Sequence, residues 1–167
     1  MFALYWLTLS PTTAFWDTSE YIATGHILGI PHPPGNPLFV VLARAWSVIF
    51  TSVGLSVATS INLFSAFMSA AAHAMWFLVA HHILRYFSSD RLFRLVGAAA
   101  AVLVSSTSFT VWSQSNVNEK VYTVSLFTIA LLSWLAVPMA REPGERQGRQ
   151  STHSDGLHSR LEWGEIT

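Results

Sequence analysis

Asp17 and Glu20 lie three residues apart in WDTSEY, and His32 follows in GIPHPPGNP, flanked by Pro31 and Pro33. If the first stretch is helical, that spacing puts both carboxylates on one face. A carboxylate so placed can act as a general base and take a proton from an acceptor hydroxyl. The pair could also help to bind a divalent cation. The plainer explanation is structural: Asp17 caps a helix and Glu20 offsets the positive end of its dipole. His32 cannot belong to a regular helix. Its prolines restrict the backbone and lower the cost of ordering the ring. It could donate to a phosphate or a sugar hydroxyl, or simply bond the loop backbone. No HExxH or similar spacing is present, so histidine-ligated zinc is not indicated. Gly35, Asn36 and Pro37 form a turn signature, with Gly35 suited to positive φ or to a ligand's close approach. Further on, QSNVNEKVY carries Glu119 and Tyr122 at the start of another apolar block. Glu119 could serve a lipid-phosphate site together with Lys120, or the two could be an ordinary surface pair.

These residues sit in a chain built for an apolar solvent. Of its 167 residues, 51% are apolar and only 11% charged, against about 25% charged in a typical soluble domain. The formal net charge is zero and no basic cluster occurs, so nothing suggests a nucleic-acid partner. Cysteine is absent, which excludes disulfides, thiolate metal sites and a cysteine nucleophile.

The expected fold is all-α, a polytopic membrane protein fragment. MFALYWLTLS is apolar but too short to cross a bilayer, which takes about 20 residues; it reads as a truncated first helix, 1–10. An outward loop, 11–56, carries two short helices. Thr18 to Leu28 is stopped by Pro31, and Leu38 to Phe50 is apolar except for Arg44, which must snorkel or point into protein. Three spans follow, at about 57–81, 95–112 and 121–137, rich in the small residues that let membrane helices pack closely. His73, inside the first, is expected to be neutral and hydrogen-bonded between helices. Residues 1–139 thus form a membrane domain. Residues 140–167 are polar, lack apolar periodicity and read as a disordered cytoplasmic tail.

Arginine placement orients the chain. Arg85, Arg91 and Arg94 follow the first span, and Arg141, Arg146, Arg149 and Arg160 follow the last, whereas the intervening connection has only Lys120 and the long first loop only Arg44. By the positive-inside rule the arginine-rich sides are cytoplasmic. Asp17, Glu20, His32 and Glu119 then share the outward face.

Phe15 to Arg44, FWDTSEYIATGHILGIPHPPGNPLFVVLAR, resembles the N-terminal signature of a multi-spanning membrane family that includes the animal transmembrane protein O-mannosyltransferase. NEKVYTVSLF, Asn118 to Phe127, resembles its second signature, and the likeness runs from Phe2 to Val137. It implies the N-terminal part of a membrane-embedded C-type glycosyltransferase. Such an enzyme moves a sugar, mannose in the named member, from a polyprenyl-phosphate donor to a protein hydroxyl. By that likeness Asp17 and Glu20 are the catalytic candidates, with Asp17 as base. His32, Gly35, Asn36, Glu119 and Tyr122 are the substrate-binding candidates. No metal ligand and no cofactor are assigned, although some related enzymes use a divalent cation. The implied partners are the lipid-linked sugar, a protein acceptor and membrane lipid; the implied location is a bacterial inner membrane with the site facing the periplasm or exterior. Three spans offer little of a donor-lipid cavity, so inactivity of the isolated fragment is part of the expectation. A transporter subunit and a non-catalytic assembly protein are the alternative readings.

Overall fold

The computed structural model describes residues 1–13, 17–33, 35–117 and 121–137. Every regular element among them is helical: α1 (Phe2–Leu7), α2 (Thr18–Ile27), α3 (Pro37–Ser52), α4 (Val57–Ile83), α5 (Arg91–Thr107), α6 (Phe109–Asn116) and α7 (Tyr122–Ala136), with a 3₁₀ turn at Leu84–Tyr86. Met1–Trp134 form one compact unit. Of the second, Leu135–Thr167, only the last turn of α7 and Val137 fall within the described residues. The expected tail, 140–167, lies outside them.

Helix α4 is the central post. Ser56 starts it, its Oγ accepting from the Thr59 N–H at 3.1 Å. Its 27 residues rise about 40 Å at 1.5 Å per residue, more than the roughly 30 Å of bilayer hydrocarbon. Helices α1, α2, α3, α5 and α6 all pack against it. Of the three expected spans, this is the one that is a single helix long and apolar enough to cross a membrane.

The second expected span, 95–112, is not one continuous helix. It is a pair, α5 and α6, bent by 66°. The hinge is Ser108, whose ψ of 142° leaves the helical region. The cause is local: Ser106 Oγ and Thr107 Oγ1 both donate to the Leu103 carbonyl, and Ser108 Oγ donates to that of Ser105. Hydroxyls bonded back onto the preceding turn compete with the helix ladder and bend it. The third, α7, has only 15 residues, about 22 Å. The bent pair counts as a second span only if both its halves cross together.

The interior is tied by polar contacts, which offset the cost of burying polar groups. The buried Tyr5 hydroxyl donates to the Ser106 carbonyl at 2.7 Å, joining α1 to the end of α5. Ser115 Oγ donates to Ser69 Oγ at 2.7 Å between α6 and α4. His73 is buried and hydrogen-bonded between helices: Nδ1 lies 2.8 Å from the Ser69 carbonyl, and Nε2 lies 3.4 Å from Ser105 Oγ on α5. Asn62, fully buried on α4, donates to the Ser10 and Thr12 carbonyls at 2.9 and 3.1 Å, pinning the strap that leads from α1 toward Asp17.

Helices α2 and α3 form a hairpin laid on α4, with Tyr21, Ile22, Phe39, Val40, Ala43, Ile61, Phe64, Met68 and Val124 as its apolar core. Arg44 turns inward; its guanidinium donates to the His26 carbonyl in the last turn of α2, where a cation offsets the negative helix end. Gly25 sets the closeness of the two helices, since a Cβ there would stand 3.0 Å from Ala43 Cβ and 3.3 Å from Ile61 Cδ1. Gly25→Val should therefore destabilise the protein by about 1–3 kcal/mol, the usual cost of overpacking, measured as a lower unfolding midpoint in detergent micelles.

Candidate functional site

The first turn of α2 carries the two acids. Asp17 occupies the N-cap position but makes no capping hydrogen bond through its side chain. Glu20 does not close a capping box either. Its two oxygens reach across twelve residues of chain to His32. Oε1 accepts from the His32 backbone N–H at 2.6 Å, and Oε2 meets His32 Nδ1 at 2.8 Å. The second ring nitrogen, Nε2, stands 4.0 Å from Asp17 Oδ2. Asp17 thus keeps the N-cap position and Glu20 the first turn, and with His32 they form a three-residue cluster, partly open to solvent at all three side chains.

The loop that delivers His32 is stiff for identifiable reasons. Pro31 and Pro33 bracket it, and the Gly35 N–H donates to the His32 carbonyl at 3.0 Å, closing a turn. Gly35 and Asn36 then take φ of 84° and 40° in succession. Glycine adopts that left-handed region freely and asparagine better than most residues, which explains why Gly-Asn stands there. Pro37 begins α3 directly, with its fixed φ suited to a first helical position. Beneath the loop lies Tyr21, the neighbour of Glu20 in sequence. Its ring edge meets the His32 ring at 5.8 Å, and its hydroxyl accepts from Asn36 Nδ2 at 3.0 Å. One buried tyrosine thus supports both His32 and Asn36.

The expected site residues divide into three groups. Asp17, Glu20 and His32 are brought together, with Gly35 and Asn36 shaping and holding the loop beside them. Tyr122 is exposed and lines a separate cavity of about 180 Å³ with Ser69, Thr110, Gln114, Ser115 and Thr123, whose lining includes none of the three clustered residues. Glu119 lies outside the described residues. The start of the second signature does approach the first: Val121 and Val124 share with Asn36, Pro37 and Phe39 an open, mostly apolar groove of about 370 Å³. Two positioning residues escaped the sequence reading. Asn62 is a carboxamide inside an apolar span, a pattern that signals a buried hydrogen-bond partner. The other is Tyr21, whose ring meets His32 and whose hydroxyl accepts from Asn36.

Asp17, Glu20 and His32 each offer a ligand-type atom within 4.8 Å of the others, so among the described residues this is where a divalent cation would bind. What the geometry shows is a hydrogen-bonded Glu20–His32 pair with Asp17 Oδ2 4.0 Å from the second ring nitrogen. A cation on the Glu20–His32 edge would have to displace the proton that joins Nδ1 to the carboxylate.

Such a chain is a helical protein with one clear membrane-type span and a solvent-facing carboxylate–histidine cluster at the start of a short helix. Residues 17–155 match the protein O-mannosyl-transferase TMEM260 N-terminal domain, and the chain belongs to that family. It is 30% identical over 139 residues to the protein O-mannosyl-transferase TMEM260 of Mus musculus, covering 81% of this chain and 18% of the relative. It is 35% identical over 78 residues to the protein O-mannosyl-transferase tmem260 of Dictyostelium discoideum, covering 47% of this chain and 10% of the relative. The chain thus spans less than a fifth of the length of these relatives. No solved structure matches it.

The His32 contacts hold the Glu20 carboxyl below its ordinary value of 4.5, first through the bond to the ring, then through the backbone bond. A depressed carboxyl pKa stabilises the fold above the unfolded-state value, and that contribution is lost as pH falls through the folded one. The intact protein should therefore unfold at a higher temperature than Glu20→Gln at neutral pH. The gap should close as pH drops below about 4.5, as read by thermal unfolding of both proteins across the acid range.

Proposed function

We propose that this chain carries the acceptor-activating site of a membrane glycosyltransferase. In this reading it moves a sugar, mannose by the names of its relatives, from a polyprenyl-phosphate donor to a protein hydroxyl. The observation that supports it is the convergence of Asp17, Glu20 and His32 at the start of α2. Asp17 is the base: it takes the hydroxyl proton as the oxygen attacks the anomeric carbon and the lipid phosphate leaves. The groove running from Asn36 between α3 and α7 begins beside this cluster and offers an apolar wall to a lipid-borne substrate. The arginine distribution supports a site on the outward face, toward the periplasm or exterior if the membrane is a bacterial inner one.

A transporter subunit is the second reading, and the 66° break between α5 and α6 favours it, because broken helices line many transport sites. The break is filled by protein, however. The Ser106 carbonyl receives the Tyr5 hydroxyl, and the Ser108 hydroxyl bonds its own helix.

The test is sugar transfer from polyprenyl-phosphate mannose to a serine- and threonine-containing peptide by the chain in lipid vesicles. Where the intact protein transfers, Asp17→Asn should slow transfer by about 10²–10⁴-fold, the usual worth of a positioned base; no transfer by the intact protein would mark it as an inert piece of the enzyme. Equal rates would remove Asp17 from the mechanism. Vesicles that instead pass the sugar lipid or a solute without forming product would favour the transporter reading.

A further inference from the structure

Glu20 and Asp17 have equal standing in the sequence, but their surroundings differ. Both Glu20 oxygens face His32, one on its backbone N–H and one on its ring, at 2.6 and 2.8 Å. A carboxylate is an acceptor only, so the short contact to Nδ1 requires the proton to be on Nδ1. In the neutral ring the other nitrogen, Nε2, is then an acceptor. That nitrogen is the one 4.0 Å from Asp17 Oδ2. Rotation is opposed from two directions: the backbone of His32 is bonded to the same carboxylate as its ring, and the Tyr21 ring packs edge-on against the imidazole. Among the groups that face His32 are Asp17 at the N-cap of α2 and, from its first turns, Glu20 and the Tyr21 ring.

We propose that Glu20 is a positioning residue rather than a base: it fixes His32 as the Nδ1–H tautomer so that Nε2 and Asp17 together receive the proton of the acceptor hydroxyl. The inference rests on the glycosyl-transfer reading and deepens it. In the step, the hydroxyl oxygen forms its bond to the anomeric carbon. The bond from that carbon to the phosphate oxygen breaks, and its electron pair leaves with the lipid phosphate. The hydroxyl proton passes to the Asp17 carboxylate and, once the product oxygen has left the gap and the two side chains can close, to His32 Nε2. The resulting imidazolium is held against the Glu20 carboxylate, as an orienting acid holds histidine in other acid–base sites. A separation of 4.0 Å is too long for a direct hydrogen bond and suits two groups that converge on one hydroxyl. Asp17 keeps the role of first acceptor, and His32 gains one beyond binding.

Two measurements test this. The first needs no activity: nitrogen NMR of the histidine-labelled chain in micelles, at a pH where the ring is neutral, with the His32 signal assigned by its loss in His32→Gln. The intact protein should show His32 protonated at Nδ1, and Glu20→Ala should return it to the Nε2–H form usual for a free imidazole. An Nε2–H ring in the intact protein, or no change in Glu20→Ala, overturns the proposal. The second is a double-mutant cycle in the transfer assay. Glu20→Gln should lower kcat with KM unchanged, and should cost nothing further once His32→Gln is present, because Glu20 acts only through the ring. Additive losses overturn the proposal. Absence of transfer by the intact chain would overturn activity of this chain on its own and match the expected inactivity of the fragment, while the tautomer result would still decide what Glu20 does.

Discussion

The bond between Glu20 and His32 is the constraint on which the site depends. A histidine between two prolines, in a loop between α2 and α3, has no secondary structure to hold it. Two hydrogen bonds to one carboxylate supply what a helix or strand otherwise would, fixing both the backbone and the ring of the same residue. The acceptor is charged, and charge-assisted bonds of this length are stronger than neutral ones. They also close a twelve-residue segment, so α2, the proline loop and the start of α3 form a single unit. Without the bond, the ring would keep its proline-restricted backbone but lose its direction relative to Asp17.

The bond can form because the platform beneath it is rigid. The α2–α3 hairpin approaches closely at Gly25 and Ala43 and packs on α4 through Ile61 and Phe64. Arg44 fastens the far end of α2, and Tyr21 reaches from the hairpin core to both Asn36 and His32. Asn62 holds the strap before Asp17 from below. In an apolar medium such polar contacts are local and directional, and they decide which arrangement of greasy helices is adopted. The site's geometry is therefore inherited in part from buried tyrosine and asparagine side chains outside the three-residue cluster.

Much of this was legible in the sequence, where local rules operate. Pro31 and Pro37 bounded α2 and α3 to within two residues, and the apolar block after Ser56 marked α4 from Val57. The i, i+3 spacing put Asp17 and Glu20 in one helical turn. The break at Ser108 was not legible. Serine and threonine in an apolar block suit close helix packing and also suit back-bonding that bends the helix, and only the carbonyls they reach distinguish the two. Nor could the pairing of Glu20 with His32 be read, since it depends on how the loop turns back over Tyr21. The same spacing that brought the two acids together concealed their different roles.

Membership of the TMEM260 N-terminal domain family connects this geometry to proteins named as O-mannosyl-transferases. The central structural claim can be tested apart from that connection. Hydrogen exchange of the His32 backbone amide addresses it most directly, because that N–H is bonded only if the loop folds back onto α2. The account predicts slow exchange in the intact protein and fast exchange in Glu20→Ala, with the amides of α4 unchanged. A His32 amide that exchanges as fast as an open loop in both proteins would contradict it.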